Sequence, residues 1–337
     1  MKKILLALLL LFPVLLGVAQ EVPDTSSANL LRRMDARMYR SQHKAGVDTA
    51  YIHIPDERWT LKTSSNMSWN TLGISHQDDE AGFATILNSA PTYSQGFSVA
   101  WRWLELGVSV NPGWFFPRFK NNDQAYSISF YGNKFGMAAT FRYSDSYAGQ
   151  IISYPDSVRT AIPRGGSNVD LIGDFDAWYV FNGDKFSFAA PFSMMQVQKR
   201  SAGSPVLGLS LRNGLTKFEG SSYQGSEVMS LMTNILAIGA GYAHNFVTAK
   251  NWLIHFSIMA NMSVLSYNKW YTEKTQEIMK NTFPDWVGIL QFSALHWKGK
   301  WFYGANFTIR GATYGTISQL SFSNARTEGH LVLGCRL

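Results

Sequence analysis

The chain carries a single cysteine, Cys335, in 337 residues. One cysteine closes no intramolecular disulfide and builds no cysteine zinc cluster. Charge is scarce as well: Asp, Glu, Lys and Arg make up 16%, against roughly 25% in a typical soluble domain. Past the N-terminus no stretch approaches the ~18 consecutive apolar residues of a membrane-crossing helix. His43, His53, His76, His244, His296 and His330 are scattered and show no metal-ligand spacing. Gly165-Gly166 reads as a turn, since no phosphate-binding pattern follows it. These absences exclude a disordered chain, a coiled coil, a helical membrane bundle and a recognisable metal or nucleotide site. No metal and no cofactor is expected.

What fills the chain instead is aromatic and small polar residues. There are 22 Phe, 15 Tyr, 11 Trp and 28 Gly, and mean hydropathy is close to neutral despite the low charge. Strands that alternate greasy and polar side chains give this composition, as in a membrane β-barrel.

The N-terminus predicts the compartment. Lys2 and Lys3 precede an apolar run, Ile4 to Leu16, broken only by Pro13, and Gly17-Val18-Ala19 is a small-x-small cleavage site. Residues 1–19 therefore read as a signal peptide, with Gln20 opening the mature chain. Losing Lys2 and Lys3 takes the formal charge from +7 to +5. Nothing resembles a nucleic-acid module, so no nucleic-acid partner is expected. The basic excess reads either as contact with phosphate-rich lipid headgroups or as net charge without a specific partner.

Residues 20–58 form a separate N-terminal segment, periplasmic or plugging the barrel mouth. Within 21–58, Ser26 or Ser27 can cap a helix whose Leu30, Leu31, Met34 and Met38 recur at three- and four-residue spacing. Arg32, Arg33, Arg37, Arg40 and Lys44 make its other face basic. Such a helix suits a membrane surface or the barrel mouth, and equally a solvated leader.

From Trp59 onward the period is two. In Asn251–Ser266, Trp252, Ile254, Phe256, Ile258, Ala260, Met262 and Val264 share one face, and Asn251, His255, Ser257, Asn261 and Ser263 the other. Lys300–Tyr314 and Phe135–Ser144 repeat the pattern, with Phe307 and Phe141 among the apolar residues. Alternation places one side of each strand in an apolar medium. Lengths of about ten to fifteen residues, with Trp and Tyr near the ends, suit tilted bilayer-spanning strands. Together with the signal peptide this predicts an all-β fold for 59–337: a transmembrane antiparallel up-and-down barrel in the outer membrane.

Strands are expected near 59–74, 97–110, 124–132, 134–147, 170–181 and 185–198. Others fall near 206–213, 231–245, 251–266, 286–298, 300–314 and 327–337, about twelve in all, with a phase switch at Trp103-Leu104 read as a β-bulge. Short connections at 246–250 and 298–300 read as periplasmic turns, and 75–96, 267–285 and 315–326 as external loops. Tight turns at 132–134 and 182–184, flanking a long 148–169 segment, break that alternation.

Three stretches carry a resemblance: Gly46-Val47-Asp48-Thr49-Ala50-Tyr51-Ile52, the run Tyr179 to Ser187, and the run Gln196 to Ser204. They resemble an uncharacterised family of signal-peptide-bearing proteins from Gram-negative bacteria, defined as a domain of unknown function. The resemblance implies an outer-membrane barrel and supplies no activity, ligand or catalytic residues. The partners expected of such a barrel are outer-membrane lipids and the assembly machinery, although Leu337 stands where many barrels end in an aromatic.

For chemistry, His255-Phe256-Ser257 puts a potential base and nucleophile on one strand face, with Asn261 nearby. Outer-membrane lipid hydrolases are similar in placing His and Ser two apart. A polar lumen also yields such triples by chance, and this one shares the lumen-facing side. Asp170, Asp174 and Asp176 share a strand face. They could collect Ca²⁺ or pair with inward arginines, and the phasing favours pairing: Arg102, Glu105, Arg142, Arg212 and Arg310 point inward with them. The expected function is a narrow or gated pore, or a structural or surface barrel. Lipid hydrolysis through His255 and Ser257 is the alternative.

Overall fold

The computed structural model describes residues 32–37, 39–40, 46–77, 82–89, 91–111, 123–145, 147–154, 158–162, 168–219, 228–248, 250–272, 276–279, 285–317 and 320–337. Residues 1–19 and the expected Ser26, Ser27, Leu30, Leu31, Met38 and Lys44 positions lie outside these. The chain divides into units at 1–44 and 45–337. In the first, 32–37 and 39–40 are helical, and Arg40 Nε donates to the Ala36 carbonyl at 3.1 Å.

Among its described residues the second unit is built of strands and their connections apart from one helical turn. Its first strands are β1 (Ile52–His53), β2 (Trp59–Gln77), β3 (Gly82–Ser89), β4 (Thr92–Trp101), β5 (Leu104–Val110), β6 (Gln124–Tyr131) and β7 (Phe135–Ser144). There follow β8 (Tyr147–Tyr154), β9 (Val158–Ile162), β10 (Val169–Val180), the short helix α1 (Ala189–Phe192), β11 (Val197–Gln198), β12 (Ala202–Glu219) and β13 (Val228–Val247). The last are β14 (Trp252–Ser266), β15 (Asn268–Thr272), β16 (Gln276–Met279), β17 (Trp286–Lys298), β18 (Trp301–Ile317) and β19 (Leu320–Arg336).

Twelve of these close a ring of antiparallel neighbours: β2, β4, β5, β6, β7, β10, β12, β13, β14, β17, β18 and β19, which returns to β2. β3, β8 and β9 extend the wall at one end, where β2 pairs β3 through Thr71–Gln77 after pairing β4 through Trp59–Ser68. β15 and β16 extend it beside β13.

Two expectations about the strands are corrected, and the errors cancel in the count. The segment 97–110 is not one bulged strand. Arg102-Trp103 is a two-residue turn, with Arg102 at φ 58°, and Ala100 faces Glu105 across it. A two-residue hairpin flips the inward face from even to odd positions just as a bulge does, so alternation alone could not separate them. The segment 185–198 contributes no wall strand; it runs through the lumen. With both changes the connections alternate cleanly. Those at 102–103, 132–134, 181–201, 248–251 and 299–300 lie at one end, with the C-terminus beside the start of β2: Leu337 N donates to the Trp59 carbonyl at 2.9 Å. The long connections lie at the other end.

The period-two reading of β7, β14 and β18 holds residue by residue. Along β14, Leu253, His255, Ser257, Met259, Asn261 and Ser263 are buried inward, while Ile254, Phe256 and Ile258 are exposed on the outside. At about 3.4 Å per residue and a tilt of about 40°, the outward row from Trp252 to Val264 covers roughly 30 Å of thickness, enough for the apolar band of a membrane barrel. Aromatic clusters ring the tight-turn end of the outer face: Trp59 on Trp101 at 6.1 Å, Trp103 on Phe130 at 4.3 Å, and His296 on both Trp252 and Tyr303 at 5.1 Å. Arginine in place of Phe256 is expected to destabilise the barrel by about 2–4 kcal/mol near the bilayer midplane. Arginine at Thr308, which faces inward opposite Glu328, should do less. Unfolding of both variants in lipid vesicles checks the order, and equal losses would argue against the assigned faces.

Candidate functional site: a closed lumen

The connection between β10 and β12 turns back into the barrel. Asn182-Gly183-Asp184 starts the reversal: Phe186 N donates to the Asn182 carbonyl at 2.8 Å, and Asn182 Nδ2 ties the turn to the Gly203 carbonyl at 2.8 Å. Ser187 Oγ accepts from Ala190 N at 3.0 Å and opens α1, which ends at Met194 in the left-handed region, φ 59°. Gln198 holds the base of the loop, accepting from Ser187 N at 2.9 Å and donating to the Lys185 carbonyl at 2.6 Å. β1 pairs with β11, Ile52 opposite Gln198, and Lys199 N donates to the Tyr51 carbonyl at 2.7 Å.

A loop buried this deeply must satisfy its backbone groups on the wall. Carbonyls of the plug accept from Lys62 Nζ of β2 (Phe192 O, 2.9 Å), Asn245 Nδ2 of β13 (Ser187 O, 2.8 Å) and Arg336 Nε of β19 (Met194 O, 2.9 Å). Lys62 is charge-balanced by Glu105 at 2.6 Å. Ala190 and Met194 pack against Leu253, Leu295, Trp297, Phe302 and Val332, which come from β14, β17, β18 and β19. The plug is thus bonded or packed to strands around the ring.

A second closure lies in the same lumen. Asp174 of β10 pairs with Arg212 on neighbouring β12 at 3.4 Å and with Arg326 on β19, six strands away in either direction around the ring. Asp176 of β10 pairs with Arg310 of β18 at 2.6 Å, and Arg142 of β7 with Glu328 of β19, each pair five strands apart. A circular twelve-strand ring would set opposite backbones roughly 22–24 Å apart. An Arg–Asp pair bridges no more than about 13 Å between Cα atoms, allowing for an extended guanidinium bond. The ring is therefore flattened at this level, and its charged side chains meet across the middle. Beyond them, toward the long loops, Leu72, Ile74, Val287 and Phe322 form a buried apolar cluster beside inward polar residues such as Asn70, Asp170 and Asn324.

Residues 46–336 match the family model described as "Domain of unknown function (DUF4421)". The chain belongs to this family. No curated protein sequence matches it. Among solved structures it is similar to the translocator domain of the autotransporter NalP from Neisseria meningitidis, at 13% identity and a TM-score of 0.32, covering 90% of this chain and 96% of that one. It is also similar to the Pseudomonas putida toluene transporter TodX, at 7% identity and a TM-score of 0.34, covering 84% and 91%. The β domain of the Bordetella autotransporter BrkA gives 7% identity and 0.32, covering 82% and 99%.

In this DUF4421 barrel, of the eight charges expected in the lumen, Asp174, Asp176, Arg212 and Arg310 lie in one network, and Arg142 joins it through Glu328 and Arg326. Asp170 accepts from Thr216 Oγ1 at 2.8 Å further along β10. Glu105 sits at the plug with Lys62, and Arg102 is buried in the β4–β5 turn. Arg326 was missed because the last strand was expected to start at 327, whereas it starts at Leu320; Glu328 lay inside the expected strand, and the even-numbered run Phe322, Asn324, Arg326, Glu328, His330 carried the signal for both.

His255, Ser257 and Asn261 face the lumen, but each is engaged elsewhere. His255 is fully buried among the rings of Phe186, Phe188 and Phe192, and its Nδ1 bonds Asn245 Oδ1 at 2.7 Å. Ser257 Oγ donates to Gln291 Oε1 at 3.2 Å, and Asn261 Nδ2 to Ser210 Oγ at 3.0 Å. Among the described residues no group of His, Cys, Asp and Glu is arranged to hold a metal ion.

Proposed function

We propose that this protein is an outer-membrane barrel, exported by removal of residues 1–19, that rests closed and conducts solute only when its internal plug moves. The outward apolar band and the aromatic ring at the tight-turn end support the membrane reading, with that end in the periplasm as is usual for short turns. The observation that carries the gated reading is the 181–201 segment, whose backbone carbonyls accept from Lys62, Asn245 and Arg336 on three different strands. Outer-membrane lipids around the band and the machinery that inserts barrels are the partners this reading requires.

Lipid hydrolysis through His255 and Ser257 draws no support from the geometry. A nucleophile needs a base within hydrogen-bond reach and a path to substrate. The imidazole is bonded to Asn245 and walled by three phenylalanine rings, and the pair faces away from the bilayer. In a planar bilayer the intact barrel should insert without steady conductance at either polarity. A stable ohmic current from the moment of insertion would exclude a resting-closed lumen.

A further inference from the structure

The tight-turn end carries a pattern that the lumen does not account for. Each of its five connections holds a basic residue, among them Arg102, Lys134, Lys185, Lys250 and Lys300, and Lys298 closes the strand before the last of them. Two of these connections are neighbours, because β14 pairs with β17. There the left-handed residues Asn251 (φ 59°) and Gly299 (φ 62°) make the turns tight enough to set lysines at their tips. Lys250 and Lys298 are exposed, and the Lys300 side chain stays 63% exposed even with Glu57 at 3.3 Å. Directly above them on the outer face stand Trp252, His296 and Tyr303, in mutual edge-on and tilted ring contact, with Trp301 at 58% exposure beside Lys300.

We propose that Lys250, Lys298 and Lys300, beneath this aromatic cluster, form a seat for the phosphate headgroup of an anionic phospholipid in the periplasmic leaflet. The proposal rests on the membrane reading above. Aromatic rings settle at the level of the ester and glycerol groups, and a lysine one or two residues beyond them places its ammonium at the phosphate level. Three ammonium groups offer many donors and no acceptor, which suits non-bridging phosphate oxygens. An anionic headgroup is favoured over a zwitterionic one because the latter brings its own cation against the lysines. The attraction acts within a Debye length of the surface and weakens with salt.

The test is native mass spectrometry of the full barrel released from mixed micelles containing phosphatidylglycerol and phosphatidylcholine. The wild type should retain phosphatidylglycerol in preference to phosphatidylcholine. Lys250→Gln with Lys298→Gln and Lys300→Gln should lower that retention by roughly tenfold, while the corresponding triple Lys→Arg variant keeps it. Lys298→Gln alone, in an exposed turn, gives a partial loss and guards against misfolding of the triple variant. Equal retention by wild type and the Gln variants, or equal retention of both lipids, overturns the headgroup seat. Heat-modifiability separates the two ideas: a folded barrel without lipid preference defeats only the seat, whereas a protein that never forms a heat-modifiable barrel in lipid defeats the membrane reading itself.

Discussion

Asp174→Asn is expected to destabilise the folded barrel by about 3–5 kcal/mol, the usual loss when one partner of a buried ion pair is removed. The exchange preserves volume, so the effect is that of charge. One carboxylate here faces three guanidiniums: Arg326 from the far wall, Arg212 at 3.4 Å and Arg310 at 3.9 Å. Neutralising it leaves cationic groups buried without their shared counter-ion. Asp176→Asn should do less, since its side chain is more exposed and Arg310 retains Asp174 nearby. Asp184→Asn, which breaks the exposed pair with Lys134, should change stability by no more than about 1 kcal/mol. Combining Asp174→Asn with Arg326→Gln should recover part of the loss, because the orphaned charge goes with its partner. The midpoint of urea unfolding in lipid vesicles ranks the four proteins. If Asp174→Asn is as stable as the wild type, the charges are hydrated rather than joined across the lumen.

That network shows what the sequence could and could not reveal. Faces were legible wherever a strand alternates strictly, so Ile254, Phe256, Phe307 and Phe141 were set outward and Asp174, Asp176 and Arg310 inward from period alone. That the carboxylates pair with inward arginines was legible; which arginine each one meets was not. Alternation fixes which wall face a residue lines, but nothing in it says that β10 and β19 come within reach of each other across a flattened ring. The turn at Arg102-Trp103 was hidden for a different reason. A bulge and a two-residue hairpin shift the phase identically, and an arginine at φ 58° is not a residue that announces a turn.

The plug was hidden by composition. Lys185 to Gln198 is rich in Phe and Met, which reads as a strand, yet Pro191 and the small pair Ala189-Ala190 break any two-residue period. The stretches that carried the family resemblance turn out to converge here. Asp48 N donates to the Asp184 carbonyl at 2.9 Å, Tyr51 lies under Lys185 and Arg200 at 5.3 and 5.9 Å, and Ile52 pairs with Gln198. The residues that carried the resemblance thus build the clamp that holds the plug, while the family model itself spans wall and plug alike over 46–336.

Excising residues 185–199 and joining 184 to 200 through a short Gly-Ser linker should turn a silent barrel into one with a small steady conductance. The wall keeps its twelve-strand ladder in this variant, and heat-modifiability verifies that it has folded before any current is recorded. The current should be small because the ion pairs across the flattened ring remain in series with the space the plug vacates. It should favour anions, since Arg142, Arg212, Arg310 and Arg326 outnumber Asp174, Asp176 and Glu328 at that level. Removing two of the three cross-lumen pairs as pairs, with Asp176→Asn and Arg310→Gln together and Asp174→Asn and Arg326→Gln together, limits the buried charge left without its carboxylate to Arg212, the neighbour-strand partner of Asp174. In the excised background these changes should raise the conductance well beyond either alteration alone, by roughly tenfold if the ring relaxes toward the width of an open twelve-strand barrel. The same four substitutions with the plug in place should leave the barrel silent. Current through that plugged variant would mean that the 181–201 segment is no seal, and silence in the doubly altered one would move the closure to the apolar cluster at Leu72, Ile74 and Phe322.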